Sequence, residues 1–429
     1  MSHDAFSIIA ATAYGNRGAQ AMLETVIGRL TDEDPGLRFH VFTYYPEDDR
    51  RLISDPRVTL HSSTPLALVA WLVPWALVIG LLRKVLGRWV LRVAPHPLRA
   101  LAQSRALIDL AGVAFIDGRE KFLPFNLLTL LPAWCVGTPI VKMPQAQGPF
   151  GKRANRLLAG WMLPRCAMIW ARGARTREHL AGSGFTGLRF RQADDIAFNH
   201  EDRYSLTEEN TGQLDDRLRE LRMAMGHGVR GIIGLCPSSV VAVKAAQEGG
   251  GYETVLAGLV RELAGRGYRV ALFPNATREH DGEAQRNNDL PLIRRVLASA
   301  LADGPLPIAP VAFDFDINAK GIKRIIAASD VVLVSRFHAM VGALALGVPP
   351  AVLGWSHKYA EVMARFGLES AVMDYKRLSG NELLAQVEDL FERRVEVSAA
   401  IHARLPEVKA SAERPIMQLL QPALGADLA

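Results

Sequence analysis

The sequence predicts an α/β protein of two domains, each a parallel, doubly wound sheet flanked by helices. Three observations carry that prediction. The chain has 429 residues, more than one hydrophobic core holds and suited to two domains of roughly 200 residues each. Short runs rich in Val, Ile and Leu alternate with helical stretches, the pattern of strands covered on both faces. The alternation stops at 201–228, "EDRYSLTEENTGQLDDRLRELRMAMGHG", which is polar and charged with no buried strand, and then it restarts.

In the first half, strands are expected at Ser7–Ala13, Arg38–Tyr44, Arg105–Leu110, Pro139–Met143, Ala167–Ala171 and Arg189–Gln192. Helices lie between them, notably Ala19–Leu30 and Asn155–Leu163. In the second half the strands are Gly231–Leu235, Arg269–Phe273, Pro307–Pro310, Asp330–Val334 and Pro350–Leu353. Tyr252–Arg266, Asn318–Ala328 and Ala339–Leu346 are the helices between these. This gives a first domain over 1–200, a connection over 201–228, a second domain over 229–400 and a C-terminal stretch over 401–429. A last helix near Pro406–Leu420 could cross back onto the first domain. Two Rossmann-like halves facing each other across a cleft form a glycosyltransferase-B-like architecture.

Composition narrows the function classes. A hydrophobic fraction of 49% with 22% charged residues describes a globular chain. The net charge of +6 is mildly basic, which suits anionic substrates, an anionic membrane surface or no particular partner. There is no aromatic-interleaved basic run, zinc-finger spacing or RNA-binding signature, so nucleic acid is not an expected partner. Cys135, Cys166 and Cys236 are widely separated and give neither a disulfide framework nor metal spacing, which fits a reducing cytoplasm. No carboxylate cluster has ligand spacing, so no metal is expected. The N-terminus runs straight into a strand with no basic n-region and no cleavage site.

One segment departs from this pattern. "LALVAWLVPWALVIGLL", Leu66–Leu82, is wholly apolar and is followed by Arg83, Lys84, Arg88, Arg92 and Arg99. It falls just short of the roughly 20 residues that a transmembrane helix needs. The strands before and after it belong to one sheet, and a full span would place them on opposite sides of a bilayer. Pro74 suggests a bent or broken helix. Apolar surface flanked by cations fits monotopic docking through 66–99 on an anionic leaflet. A buried helix or a partner-facing hairpin is the other reading.

The most informative unit is "DVVLVSRFHAMVGALALGVPPAVLG", Asp330–Gly354. It reads as a buried strand, a turn, an apolar helix ended by Gly347 and Pro349, and a second buried strand. Ser335, Arg336 and His338 therefore sit where a sheet's carboxyl edge meets a helix N-terminus. Ligands bind at that edge in open α/β sheets, and the helix start favours anions. A surface Arg and a core-edge His that cap a loop would give the same pattern.

Other candidates occupy similar edges. "AYGNRGAQAML" places Asn16, Arg17 and Gly18 at a helix opening, where glycine lets a ligand approach the backbone. It is neither a GxGxxG nor a Walker A motif, so no nicotinamide or ATP is implied. An ordinary glycine turn serves equally. "LIDLAGVAFIDGREKFLPFN" offers Asp109 and Asp117 as proton acceptors for a substrate hydroxyl, or as caps of the next turn. "MPQAQGPFGK" brings Gln145 and Gln147, and "IWARGARTREHL" brings Arg172 and Arg175, one of which could bind phosphate or carboxylate through a fork, while solvated arginines at a helix start, Arg175 above all, would give the same pattern. Asp194 and Asp195 lie at a further edge. In the second half, "GLCPSS" and "LFPNATREHD" direct Ser238, Asn275 and His280 toward the cleft, and "GWSHKYAEVM" adds His357 and Lys358. The cleft is thus expected to have a basic second-domain side for an anionic donor and a polar first-domain side for a hydroxylated acceptor.

"SRFHAMVGALALGVP" followed by "GWSHKYAEVMARFG" resembles the polysaccharide pyruvyl transferase family. So do "YGNRGAQAML", "DLAGVAFIDGRE", "PQAQGPF" and "DDIAF", in that family's order, over about residues 7–375. The resemblance implies an enzyme that moves the enolpyruvyl unit of phosphoenolpyruvate onto sugar hydroxyls, forming a pyruvate ketal in surface glycans. It assigns Arg336 and His338 to the donor site and matches Lys358 to a basic position downstream. The first-domain acid corresponds to Asp109 or Asp117. Phosphoenolpyruvate would be the donor substrate and no cofactor is implied. Arg336 and Lys358 would neutralise its carboxylate and phosphate. His338, with an unperturbed pKa of about 6.5, would be the acid/base. A lipid-linked sugar at the inner face of the cytoplasmic membrane would give the apolar segment a purpose.

Two rivals share these features. A nucleotide-sugar-dependent glycosyltransferase has the same layout, but needs an acid for the donor ribose, and no Glu or Asp follows His338 until Glu361. A non-catalytic, membrane-docked scaffold would not require Arg336, His338 and Lys358 together.

Overall fold

A computed structural model describes residues 4–208, 210–223, 228–278, 287–354, 357–377 and 379–421. The chain divides into two compact units. The first comprises Met1–Ala13, Ala19–Thr207 and Lys409–Ala429, and the second Tyr14–Gly18 and Glu208–Val408.

The first unit carries seven strands: β1 (Ala5–Ile9), β2 (Arg38–Thr43), β3 (Val58–Ser62), β4 (Leu107–Asp109), β5 (Ile140–Gln145), β6 (Met168–Arg172) and β7 (Phe190–Ala193). They pair in parallel in the order β3-β2-β1-β4-β5-β6-β7. The second unit has β8 (Gly231–Cys236), β9 (Tyr268–Leu272), β10 (Val311–Ala312), β11 (Val331–Val334), β12 (Pro350–Gly354) and β13 (Val372–Asp374). Their order is β10-β9-β8-β11-β12-β13, again parallel. Each order reverses once, between β1 and β4 and between β8 and β11. These reversals are the switch points at which doubly wound sheets bind ligands.

Three sheet elements differ from the sequence reading. The outer strands β3 and β13 were not anticipated, because "VTLHS" and "VMD" are short and lack a continuous apolar run. The strand expected at Pro307–Pro310 lies instead at Val311–Ala312, since two prolines without N–H donors do not sustain a ladder. The polar stretch 201–228 is not a bare connection. Thr211–Met223 is a helix burying Leu214, Leu218 and Leu221 at helical spacing, and Arg269 donates to the Glu220 carbonyl at 2.7 Å. The last helix runs over Arg394–Leu419, through Pro406. From Lys409 on it belongs to the first unit, where Arg29 pairs with Glu413 at 2.7 Å and the Asp194 N–H donates to Ser411 Oγ at 3.1 Å.

The apolar segment forms one helix over Pro65–Leu86, 22 residues long. A π-turn at Leu68–Leu72 ends two residues before Pro74, so a widened turn rather than a break absorbs the missing N–H. Leu68, Leu72, Ala76 and Ile79 are buried in a core with Leu98, Leu101, Leu130 and Val136. The opposite face is open, with Leu66 78%, Leu81 66% and Val85 74% exposed. Its flanking strands β3 and β4 are members of the same sheet.

Three histidines gather beside this helix's entry. His61 on β3 stands 5.3 Å from the His40 ring and 5.4 Å from His96, and stacks on Phe42 at 4.8 Å. Burial, with the neighbouring His40 and His96, holds the His61 imidazole down to about 4 from its usual 6.5. His40 is lowered too, by burial and by His96. Because the folded pKa is depressed, the unfolded chain takes up protons first as pH falls. The cluster's contribution is complete above about pH 6.5 and is lost progressively toward pH 4, at most about 3 kcal/mol for His61. His61→Phe keeps the stacking and should flatten the melting temperature's decline over that window. An unchanged slope would count against the cluster as its source.

Candidate functional site

The predicted site residues fall into both units, and each unit forms its own network. In the second, β8 and β11 end side by side, and the Ser335 N–H donates to the Cys236 carbonyl at 2.9 Å. Tyr252 Oη donates to Ser335 Oγ at 2.8 Å and accepts from the Ser238 N–H at 3.1 Å. Tyr359 Oη donates to the Ser335 carbonyl at 3.1 Å. Two buried tyrosines therefore lock the serines of both loops, and Arg336 follows as the first residue before the helix Phe337–Ala345.

Arg336 is held by side chains of its own unit. Its Nε donates to Asp289 Oδ2 at 2.9 Å, and its Nη2 donates to Ser239 Oγ at 3.0 Å and also to Asp289. Nη1 meets Asn287 Oδ1 at 3.3 Å. The guanidinium fork is already filled by protein oxygens, and Asp289 supplies the countercharge. Asp289, wholly buried, also accepts from the N–H groups of Ser239, Asn275 and Ala276 at 2.9, 3.2 and 3.0 Å. One carboxylate thus ties together the loops after β8, β9 and β11. Sequence reading missed it. Asp289 stands directly before Leu290-Pro291 at a helix start, which is a signal for a cap but not for an arginine 47 positions away.

Tyr14–Gly18 is part of this same unit. The Thr277 N–H donates to the Gly15 carbonyl at 2.9 Å, and the Arg17 N–H to the Asn275 carbonyl at 3.2 Å. Asn16 forms an isolated antiparallel bridge with Ala276. Arg17 donates to Thr277 Oγ1 at 2.6 Å and is ion-paired with Asp316. Gly18 presses on His338 so closely that an added Cβ would fall 1.9 Å from Nδ1. Lys358 lies over the Phe337 ring at 4.6 Å, and that ring meets His338 edge-on at 5.2 Å. The structure therefore brings Asn16, Arg17, Gly18, Asn275, Ser238, Ser335, Arg336, His338 and Lys358 into one region. His280 and the His357 side chain lie outside the described residues.

In the first unit, Asp109, Gln145 and Arg172 end the neighbouring strands β4, β5 and β6. Asp109 is 3% exposed and is ion-paired with Lys142, a lysine buried in β5. Arg172 pairs with buried Asp195 at 2.7 Å and donates to the Gly112 carbonyl at 2.9 Å. Gln145 Nε2 reaches the Met143 carbonyl at 3.3 Å. Asp117 accepts from the N–H groups of Gly151 and Lys152 at 2.8 and 3.0 Å and from Asn155 at 2.8 Å. Asp109 thus neutralises a buried lysine, and Asp117 fastens the start of the helix Arg153–Met162, in line with the turn-capping reading of such an acid. Lys142 was the overlooked signal, since an ammonium inside an apolar strand requires a carboxylate. Among the described residues, no group of three or more His, Cys, Asp or Glu side chains is arranged to hold a metal ion.

Two parallel doubly wound sheets with helices define a glycosyltransferase-B-like, two-domain α/β protein. Solved structures share that fold across nearly the whole chain. UDP-GlcNAc 2-epimerase from Neisseria meningitidis, bound to UDP-GlcNAc, matches 97% of this chain and 99% of its own at 11% identity, TM-score 0.58. Anabaena HepE in complex with UDP-glucose matches 99% and 98% at 12% identity, TM-score 0.52. At such identities the likeness concerns the fold alone. The family is fixed by sequence: residues 16–357 match polysaccharide pyruvyl transferase, and the chain belongs to that family.

Proposed function

We propose that the chain transfers the enolpyruvyl unit of phosphoenolpyruvate to a pair of hydroxyls on a glycan, forming a pyruvate ketal and releasing phosphate. The observation that carries this reading is the packing of Gly18 on His338, which joins the front of the family match to its far end within one unit. In the proposed reaction His338 protonates the methylene carbon, a sugar hydroxyl adds to the oxocarbenium-like centre and loses its proton, and a second hydroxyl displaces phosphate. Lys358 is the cation assigned to the donor's anionic groups. Arg336, with its fork on Asp289, positions the loop carrying His338.

The test is thermal stability with phosphoenolpyruvate, UDP-sugars or GDP-sugars, for wild type and Lys358→Gln. A ligand that binds only the folded state raises the melting temperature by mass action. A rise with phosphoenolpyruvate that Lys358→Gln weakens is the expected result. A rise with a nucleotide sugar alone would replace the donor and the reaction class.

The same proposal places the enzyme peripherally on the inner face of the cytoplasmic membrane, working on a lipid-linked glycan. The open face of Pro65–Leu86 and the membership of β3 and β4 in one sheet support docking on the surface over a single crossing. Deleting the helix would also remove Leu68, Leu72, Ala76 and Ile79 from the core, so point changes are the better probe. Leu81→Glu with Val85→Glu should weaken vesicle binding at least roughly 100-fold, since each apolar side chain buried is worth ~1.5–3 kcal/mol. The melting temperature and turnover on a soluble acceptor should stay near wild type. Full vesicle binding by this double variant would argue against the docking face.

A further inference from the structure

Beside the open face of the apolar helix, the first unit contains a groove of about 840 Å³ lined by Leu81, Arg83, Lys84, Arg88, Trp134 and Arg165. Apolar and cationic side chains line it together. Among the described residues no carboxylate forms an ion pair with Arg83, Lys84, Arg88 or Arg165, whereas Lys142 and Arg172 of the same unit are each paired with a buried acid. Helix-end cations commonly answer the helix dipole, which accounts for Arg83 and Lys84. It also answers in part for Arg165, which closes the last turn after the helix Arg153–Met162 and donates to the Trp161 carbonyl, but not for Arg88, which opens the following turn.

This lining is held in place. Gly137 admits Arg83, whose Nη1 an added Cβ would meet at 2.1 Å, and Arg83 donates to the Cys135 carbonyl at 3.4 Å. Gly80 lets the helix approach Cys135, at 3.1 Å from the Cβ it lacks. Arg165 stacks on Trp161 at 4.4 Å and over Trp134 at 5.6 Å, and donates to the Trp161 carbonyl. The two tryptophans meet edge-on at 5.2 Å. Tryptophans beside arginines, next to an exposed apolar helix, are the side chains that occupy the headgroup level of a bilayer.

We propose that this groove binds one anionic phospholipid, its phosphate among Arg83, Arg88 and Arg165 and an acyl chain along Leu81 and Trp134. The inference rests on the membrane-docking reading and adds a headgroup-selective site to it. Charge complementarity selects an anionic phosphate, and the adjoining apolar face selects a lipid over a soluble one. Flotation of the full chain separates the possibilities, using vesicles of phosphatidylcholine, of phosphatidylcholine with phosphatidylglycerol, and of phosphatidylcholine with polyprenyl phosphate. Phosphatidylglycerol should strengthen binding by roughly 100- to 1,000-fold, as about four cations at ~1 kcal/mol each near the surface require. Arg88→Gln with Arg165→Gln should lose most of that gain, as should Lys84→Gln with Arg88→Gln, which alters only exposed side chains. Arg217→Gln with Arg219→Gln, a charge-matched control in the second unit, should lose little.

Equal binding to phosphatidylcholine with and without phosphatidylglycerol would overturn the site while leaving docking intact. Equal losses in the control would reduce it to diffuse attraction and overturn it as well. Enhancement by polyprenyl phosphate alone would overturn the assigned occupant. Failure to bind any vesicle would overturn both the site and the docking reading, and leaves the phosphoenolpyruvate stability test unaffected.

Discussion

Gly18→Ala should cost the second unit about 1–3 kcal/mol of stability and depress turnover roughly 100-fold. The local rule points the other way. Gly18 lies in the first turn of the helix Arg17–Glu33 with no positive φ, and Ala in a helix is favoured over Gly by ~1 kcal/mol. The contact reverses the sign. A methyl group at 1.9 Å from His338 Nδ1 cannot coexist with the ring, and overpacking of this kind typically costs ~1–3 kcal/mol. The ring must move, and under the proposed mechanism, in which His338 is the acid, a misplacement of about 1 Å is worth roughly 100-fold in rate. Phosphate release from phosphoenolpyruvate and the melting temperature are the two readouts. The decisive comparison introduces Gly18→Ala into His338→Ala, where the obstruction is gone and the helix preference should reassert itself as a small stabilisation. If Gly18→Ala is equally harmful in both backgrounds, the contact is not the cause.

Much of this arrangement was legible in the sequence, for identifiable reasons. The β-branched run before Ser335 and the Gly347-Pro349 stop fixed where Arg336 and His338 would fall, because periodicity and helix punctuation are local signals. The partners of these residues were not legible. Asp289 and Arg336 are 47 positions apart, and nothing local marks one as belonging to the other. The same applies to Arg17 and Asp316, 299 positions apart. Cations at sheet edges therefore read as ligand sites, while the structure pairs Arg17, Arg172 and Arg336 with acids. The apolar helix shows a different limit. When nearly every side chain is apolar, hydropathy does not say which stripe faces the core, so Leu68, Leu72, Ala76 and Ile79 could not be told from Leu66, Leu81 and Val85.

The Arg336–Asp289 pair leads to the second large effect, an ordering of two variants. Asp289→Ala should destabilise the second unit more than Arg336→Ala does. Breaking a buried ion pair by removing one partner costs about 3–5 kcal/mol, because the remaining charge is stranded. The two remaining charges are not stranded equally. With Arg336 gone, Asp289 keeps the N–H groups of Ser239, Asn275 and Ala276, and hydrogen bonds to a carboxylate are among the stronger ones. With Asp289 gone, Arg336 keeps Ser239 Oγ and Asn287 Oδ1 among the described residues, and three backbone donors lose their acceptor as well. For a unit of this size each kcal/mol moves the melting temperature by roughly 2–4 °C, so Asp289→Ala should fall by about 10 °C or more and Arg336→Ala by less. The consequence for function is direct. Loss of activity in Arg336→Ala is expected from a displaced His338 loop and is not by itself a sign that the guanidinium touches the donor. Should Arg336→Ala keep its melting temperature while losing the response to phosphoenolpyruvate, the fork would have to leave Asp289 for the ligand, and Arg336 would return to the donor site.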